Sequence, residues 1–219
     1  MANIRKDNIT CPQCGKQSTF DFWDIINTAE HPEMRAQVRS GAAFTFTCPD
    51  CGKQTKVFYN TLYHQPEDKL MVYFAPENKE EAIAQFQKTA PRDEAGNISD
   101  GYRLRVVESL NALIEKLAIE DAKLNDMGVE ILKLFAIAGM HESNPEAKIM
   151  EMRFARDKKG EFGFWILLQG GKTASMNFHH ELYAKTLEQF ADAFAAAKSE
   201  MVIDMKWAME QIRTAEAGA

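Results

Sequence analysis

Four cysteines are the residues of this chain whose type and spacing best suit them to chemistry. They are Cys11, Cys14, Cys48 and Cys51, and the sequence holds no others. They form two Cys-x-x-Cys pairs with 33 residues between them. Each pair sits in the same frame, Cys11-Pro12-Gln13-Cys14-Gly15-Lys16-Gln17 and Cys48-Pro49-Asp50-Cys51-Gly52-Lys53-Gln54. Two thiolates three positions apart reach one ion when the chain turns tightly between them. Two such turns complete a tetrahedron of sulfur at about 2.3 Å from a soft metal. Pro12 and Pro49 fix one φ angle in each turn. Gly15 and Gly52 stand where φ is expected to turn positive. The pattern predicts one structural zinc ion per chain, held by Cys11, Cys14, Cys48 and Cys51. Iron suits the same four thiolates. Two disulfides are a weaker reading, because a reducing compartment opposes them and a bridge within Cys-x-x-Cys is strained. A catalytic dithiol opens a helix after a strand. Here the residues after each pair, Ser18–Trp23 and Thr55–Tyr59, read as strands. A closed four-thiolate site offers no position for water, so it holds a fold rather than hydrolysing a substrate.

The elements around the cysteines read as a zinc ribbon with a helical insertion. Strands are expected at Thr19–Ile25, from Phe44 to Thr47, at Val57–Leu62 and at Leu70–Phe74. A short helix over Asn27–Arg39 lies between the two cysteine frames, with Asn27 or Thr28 as its cap and Gly41 at its end. Pro76 and Asn78 mark a boundary. A helix over Glu77–Thr89 follows, capped by Asn78, and then a loop over Ala90–Gly101. Tyr102–Ala118, capped by Ser99 or Asp100, has Val106, Leu110, Leu113, Ile114 and Leu117 at helical spacing, and Asp121–Ala138 repeats the pattern. The texture then alternates: Lys148–Ala155, Phe162–Leu168 and Lys172–Phe178 read as three strands joined by turns at 157–160 and 170–171. His180–Lys198 is an amphipathic helix. Met201–Thr214 reads as a short strand and then a helix.

The expected class is therefore α+β. An N-terminal zinc-ribbon-like antiparallel β module occupies residues 1–76. The C-terminal domain, 77–219, has helices at about 78–139, an antiparallel β-meander at about 148–178, and helices at about 180–214.

The remaining candidate groups favour plain structural readings. His179 and His180 are adjacent, so their side chains diverge and do not share one ion easily. His31 begins the insertion helix and would at most orient a metal site from behind its ligands; His64 ends a strand and would orient the metal site or a partner surface, or else serve as a turn residue. Trp23, Phe58, Tyr59, Tyr63 and Tyr73 read as packing around the cysteine turns rather than as a stacking platform. Gly170-Gly171-Lys172-Thr173 is out of register for a phosphate loop, since Ile166 stands where the first glycine is required. Glu142, Glu146, Glu151 and Glu181 show no spacing that singles them out. No catalytic constellation emerges, so the reading leans away from an enzyme.

Composition narrows the class. The chain has 219 residues, 45% of them apolar and 26% charged, as in a globular protein. No apolar run approaches the roughly 20 residues of a membrane span. The first residues lack the apolar stretch of a secretory signal, so the expected location is cytoplasmic and no membrane partner is expected. Residues 1–76 hold eight basic and eight acidic residues, and 77–219 hold 18 and 24. Neither part has the basic excess of a nucleic-acid binder.

The twin Cys-Pro-x-Cys frames, Phe22-Trp23, the helical insertion and Leu62-Tyr63-His64 together resemble the CpXC family of bacterial and archaeal proteins. The resemblance is strongest over residues 9–76 and includes all four cysteines, Pro12 and Pro49. An acidic residue often follows the Tyr-His pair in that family, whereas this chain has Gln65. The resemblance implies metal binding and supplies no reaction. The expected function is a zinc-binding module for a protein or small-ligand partner. Alternatives are a nucleic-acid-binding ribbon and a thiol-based redox switch.

Overall fold

The computed structural model describes residues 2–92 and 101–217. The chain forms two compact units, Met1–Ile114 and Glu115–Ala219. Among the described residues no helix is long and apolar enough to cross a membrane.

The first unit is built on a five-stranded sheet. Strands β1 (Asn3–Thr10) and β2 (Gln17–Asn27) form an antiparallel hairpin, and the first cysteine frame is its turn. Helix α1 (Met34–Arg39) follows, shorter than the expected Asn27–Arg39. Residues 28–33 instead form turns, and the Asn27 carboxamide oxygen accepts the Ala29 N–H at 3.1 Å. Strands β3 (Thr45–Thr47) and β4 (Gln54–Lys56) make a separate small hairpin around the second cysteine frame. The main sheet continues with β5 (Thr61–Gln65) and β6 (Leu70–Phe74), then helix α2 (Lys79–Thr89) and β7 (Arg103–Val107). Its order is β1-β2-β5-β6-β7.

Several expectations change here. The N-terminal module is not wholly antiparallel: β2 pairs parallel to β5 and β6 parallel to β7. The expected strand Val57–Leu62 is divided, because the chain leaves β4 at Lys56 and re-enters the main sheet at Thr61. The expected helix Tyr102–Ala118 begins only at Leu110, as α3 (Leu110–Asp121). Residues 103–107 instead supply the sheet's outer strand, with Leu70 opposite Arg103 and Phe74 opposite Val107. β-Branched Val106 and Val107 suit that pleated, buried position. Ser109 caps the helix, its hydroxyl oxygen accepting the Ala112 N–H at 3.1 Å. The compact unit thus runs to Ile114, beyond residue 76, because β7 belongs to its sheet. Ser99 and Asp100 lie outside the described residues. The Asn78 cap forms as expected, accepting the Glu81 N–H at 3.0 Å.

The second unit places α4 (Asp126–Ser143) between a sheet and three helices. Strands β8 (Ile149–Arg156), β9 (Phe162–Leu168) and β10 (Thr173–Asn177) form the expected antiparallel meander. Met152, Phe154, Phe164 and Ile166 on one face of it pack against Val129 and Leu132 of α4. Met127 and Ile131, on another side of α4, meet Phe190, Phe194, Ile203 and Trp207. Those residues come from or adjoin α5 (His180–Gln189), α6 (Ala191–Ala196) and α7 (Met205–Ala217). The expected helix His180–Lys198 is broken at Phe190, whose ring is buried.

The side of α4 facing α3 is ionic. Lys116 Nζ lies 3.0 Å from Asp126 and 3.2 Å from Glu130. Lys133 Nζ lies 3.0 Å from Glu115 and 2.8 Å from Glu130 Oε2, the latter an ion-pair contact rather than an aligned hydrogen bond. Glu115 also accepts the backbone N–H of Phe154 at 2.6 Å. All five side chains are less than a tenth exposed. Burial pushes the Glu115 carboxyl above its usual range, and Glu130 adds to this against Lys133 and Lys116. Burial alone would lower Lys133, but Glu130 and Glu115 outweigh it and hold the ammonium charged. Removing one partner of such a cluster strands the opposite charge. Lys133→Met is therefore expected to cost about 3–5 kcal/mol in chemical denaturation. Lys133→Met with Glu115→Gln is expected to recover part of that loss.

Candidate metal centre

Each cysteine frame folds as the same tight knuckle. In the first, the Gly15 N–H donates to the Cys11 carbonyl at 3.0 Å and the Cys11 N–H to the Lys16 carbonyl at 2.9 Å. In the second, Gly52 donates to Cys48 at 2.9 Å and Cys48 to Lys53 at 2.9 Å. Gly15 has φ 73° and Gly52 φ 72°, a left-handed turn that a side chain would strain. The frames differ at the residue between proline and the second cysteine. That difference is used: Asp50 of one knuckle accepts Lys16 of the other at 2.5 Å. Both side chains are largely solvated, so the pair adds alignment more than stability.

The two knuckles bring the four sulfurs together. All four lie within 4.8 Å of one another. Cys11 Sγ is 3.6 Å from Cys51 Sγ, and Cys14 Sγ 3.7 Å from Cys48 Sγ. A tetrahedron of thiolates about 2.3 Å from one ion has edges of about 3.8 Å. The donor set therefore has the dimensions of a metal site, and the four cysteines are positioned to bind one ion. All are free thiols, so the cluster is not a pair of disulfides. Each pair lies in a hairpin turn rather than at the start of a helix, unlike a redox-active dithiol. Cys11 and Cys48 are buried, and Cys14 and Cys51 are exposed.

Apolar side chains close the inner side of the cluster. Phe46 is buried with Cys11 and Cys48, and Ile9, Phe20 and Val57 pack on them. Phe20 and Phe46 meet edge-on at 6.2 Å, and Phe20 also touches Tyr59. Of the five aromatics expected to pack around the knuckles, Tyr59 thus reaches this group through a ring contact. Tyr63 is wholly buried but hydrogen bonds to Gln65 at 2.7 Å, Phe58 is 54% exposed, and Trp23 lies against His31. Gln65 is buried and also accepts Arg39 at 3.3 Å.

Among the described residues no histidine joins the sulfur cluster. His64 bonds the Tyr102 hydroxyl at 3.1 Å, and burial lowers its pKa. His179 caps α5, accepting the Leu182 N–H at 3.2 Å, while His180 packs on Phe178.

The surroundings push Cys11, Cys14 and Cys51 in different directions. The N–H of Cys14, with that of Gln13, favours the Cys11 thiolate over desolvation and brings its pKa down to about 6. At Cys51 the Lys53 N–H favours the thiolate, but desolvation and the three other sulfurs outweigh it, raising the pKa to about 12. Cys14 is also raised, where the Lys16 N–H is outweighed by desolvation and neighbouring sulfur.

A metal must displace the protons held by Cys14 and Cys51 at neutral pH. Calorimetric titration of the metal-free chain in buffers of different ionisation enthalpy is expected to show at least two protons released per bound ion. Lowering the pH must correspondingly expel the metal, because protons and metal compete for the same sulfurs. No heavy atom lies within 4 Å of where a Cβ would stand on Gly15, so Gly15→Ala meets backbone strain alone. It is expected to destabilise the metal-loaded chain by about 1–2 kcal/mol in thermal or chemical denaturation, and Gly15→Asn by less.

A protein-family model described as "CpXC protein" matches residues 9–133, more than half of the chain. No curated protein and no solved structure matches it. The matched span contains both knuckles and continues through β7 and α3 into α4. With both Cys-Pro-x-Cys frames folded into one four-sulfur cluster inside that span, the chain belongs to the CpXC family.

Proposed function

We propose that this CpXC protein binds one zinc ion through Cys11, Cys14, Cys48 and Cys51 in a structural site of zinc-ribbon type. The unit so stabilised acts as a binding module for a protein or small-ligand partner. The observation that supports the first half is the mutual spacing of the four sulfurs, which would fill all four positions of a tetrahedral ion and leave none for substrate or water. Such a site supplies folding free energy, on the order of 10–16 kcal/mol of apparent binding energy in small zinc-finger peptides. Free thiols of this kind persist in a reducing compartment such as the cytoplasm.

The binding role follows from what the ion would do mechanically. The knuckles are the turns of two different hairpins, so one ion fixes β1–β2 against β3–β4. A fixed pair of hairpins presents a pre-ordered surface, which lowers the entropic cost of binding.

The first test is metal content, with an absorption spectrum, of protein purified without added metal. One zinc per chain and no visible absorption is the expected result. Iron with a thiolate charge-transfer band would replace the reading with an electron carrier. The second test compares capture of partners by the wild-type chain and by Cys48→Ser. A partner held by the first and lost by the second is expected; substrate turnover without any such partner would sink the binding role.

A further inference from the structure

The outward face of the C-terminal meander carries a cleft that the metal centre does not explain. Its rows are set by strand register. Arg153, Trp165 and Ser175 lie side by side across β8, β9 and β10, and Ala155, Gly163 and Asn177 form the next row. Two of the three residues in the second row are Ala and Gly. The face therefore sinks beyond Trp165, leaving a cleft of about 270 Å³ that Arg153, Arg156, Phe162, Trp165, Ser175 and Asn177 help to line. A Cβ on Gly163 would overlap the backbone oxygen of Met176, so the floor cannot be raised there without disturbing β9–β10.

The chemistry of the walls is specific. On this face the Arg153 guanidinium lies over the Trp165 ring at 4.3 Å, whereas Arg156, over Phe162 at 4.6 Å in the last β8–β9 pair, falls by register on the core side of the sheet. Among the described residues neither guanidinium is paired with a carboxylate. Asp157 and Glu161 also line the cleft, but Asp157 is engaged at the turn, accepting the N–H groups of Lys159 at 2.8 Å and Glu161 at 2.9 Å. Ser175 and Asn177 are exposed and present polar groups beside the aromatic wall.

Basic charge is concentrated in the same segment, most of it in the turns and ends of the three strands. Residues 148–177 hold six basic and three acidic side chains, while the rest of the chain holds 20 and 29. Lys158 and Lys159 stand at one end of the meander, and Lys148 and Lys172 at the other. Cations at both ends, with stacked guanidinium and indole between them, suit an extended ligand that alternates phosphate and planar base. We propose that this sheet face binds single-stranded nucleic acid: a base enters the cleft beside the Arg153–Trp165 stack, and the terminal lysines track the phosphates.

The test is fluorescence anisotropy of a labelled uridine dodecamer with the metal-loaded full chain, over a salt series. Binding at low salt is expected, weakening steeply as salt rises. Arg153→Ala is expected to weaken it about tenfold and to lower the slope of log K against log salt by about 0.7. Arg153→Lys is expected to keep the slope while losing affinity, which separates stacking from charge. Ala155→Glu fills the cleft from the solvent side and is expected to abolish binding, with an unchanged thermal melt as the control for folding. No binding at low salt, or equal binding by wild type, Arg153→Ala and Ala155→Glu, would overturn the proposal. So would uridine monophosphate competing as strongly, nucleotide for nucleotide, as the dodecamer, since the lysine track would then be idle.

Discussion

Four sulfur atoms confined within 4.8 Å are the constraint around which the N-terminal unit is arranged. As thiolates they repel one another, and as thiols they leave polar hydrogens crowded beside Phe46 and Phe20. The chain itself supplies little to offset this: a few backbone N–H groups, and one solvated Lys16–Asp50 pair outside the cluster. A divalent ion at their centre would set four attractions against the six mutual repulsions. The knuckle geometry, positive φ at Gly15 and Gly52 and the placement of two hairpin turns face to face all serve that one convergence.

The C-terminal unit solves the opposite problem without outside help. It buries three carboxylates and two ammonium groups between α3, α4 and β8, and lets them neutralise one another. The desolvation cost is large, so the cluster contributes more to fixing how the two helices meet than to net stability. Apolar packing on the other sides of α4 provides the stability: the meander on one and the α5–α7 helices on another. The two units thus place their charge differently, one around an ion to be acquired and one within the chain.

The cysteine knuckles were legible in the sequence because their determinants are local. A three-residue spacing, a proline and a glycine specify the turn before any tertiary contact exists. The meander was legible for the same reason, through alternation and turn residues. Strand β7 was not, because Val106, Leu110 and Leu113 also satisfy helical spacing, and only pairing with β6, remote from local pattern, decides the matter. Strand β1 hides differently: Asn3–Thr10 is almost wholly exposed, so it has no buried face to betray its period. The ion cluster was invisible since Glu115, Lys116, Glu130 and Lys133 are the residues a solvated helix face would also carry. Averaging charge over residues 77–219 likewise conceals a basic sheet inside an acidic half.

The parallel pairing of β2 with β5 has a consequence for the order of assembly. Parallel neighbours need a crossover, and here the crossover holds α1 and the β3–β4 hairpin with its two cysteines. Closing the four-sulfur site therefore ties the middle of that crossover back to the turn preceding β2. An ion held by all four cysteines would shorten the loop between Cys14 and Cys48, so the entropy of bringing β5 alongside β2 would be partly met by metal binding. During synthesis the first knuckle must wait, half a site with no partner, until Cys51 has emerged. An ion bound at that point would close the crossover before the strands that complete the sheet, β5 to β7, have been made.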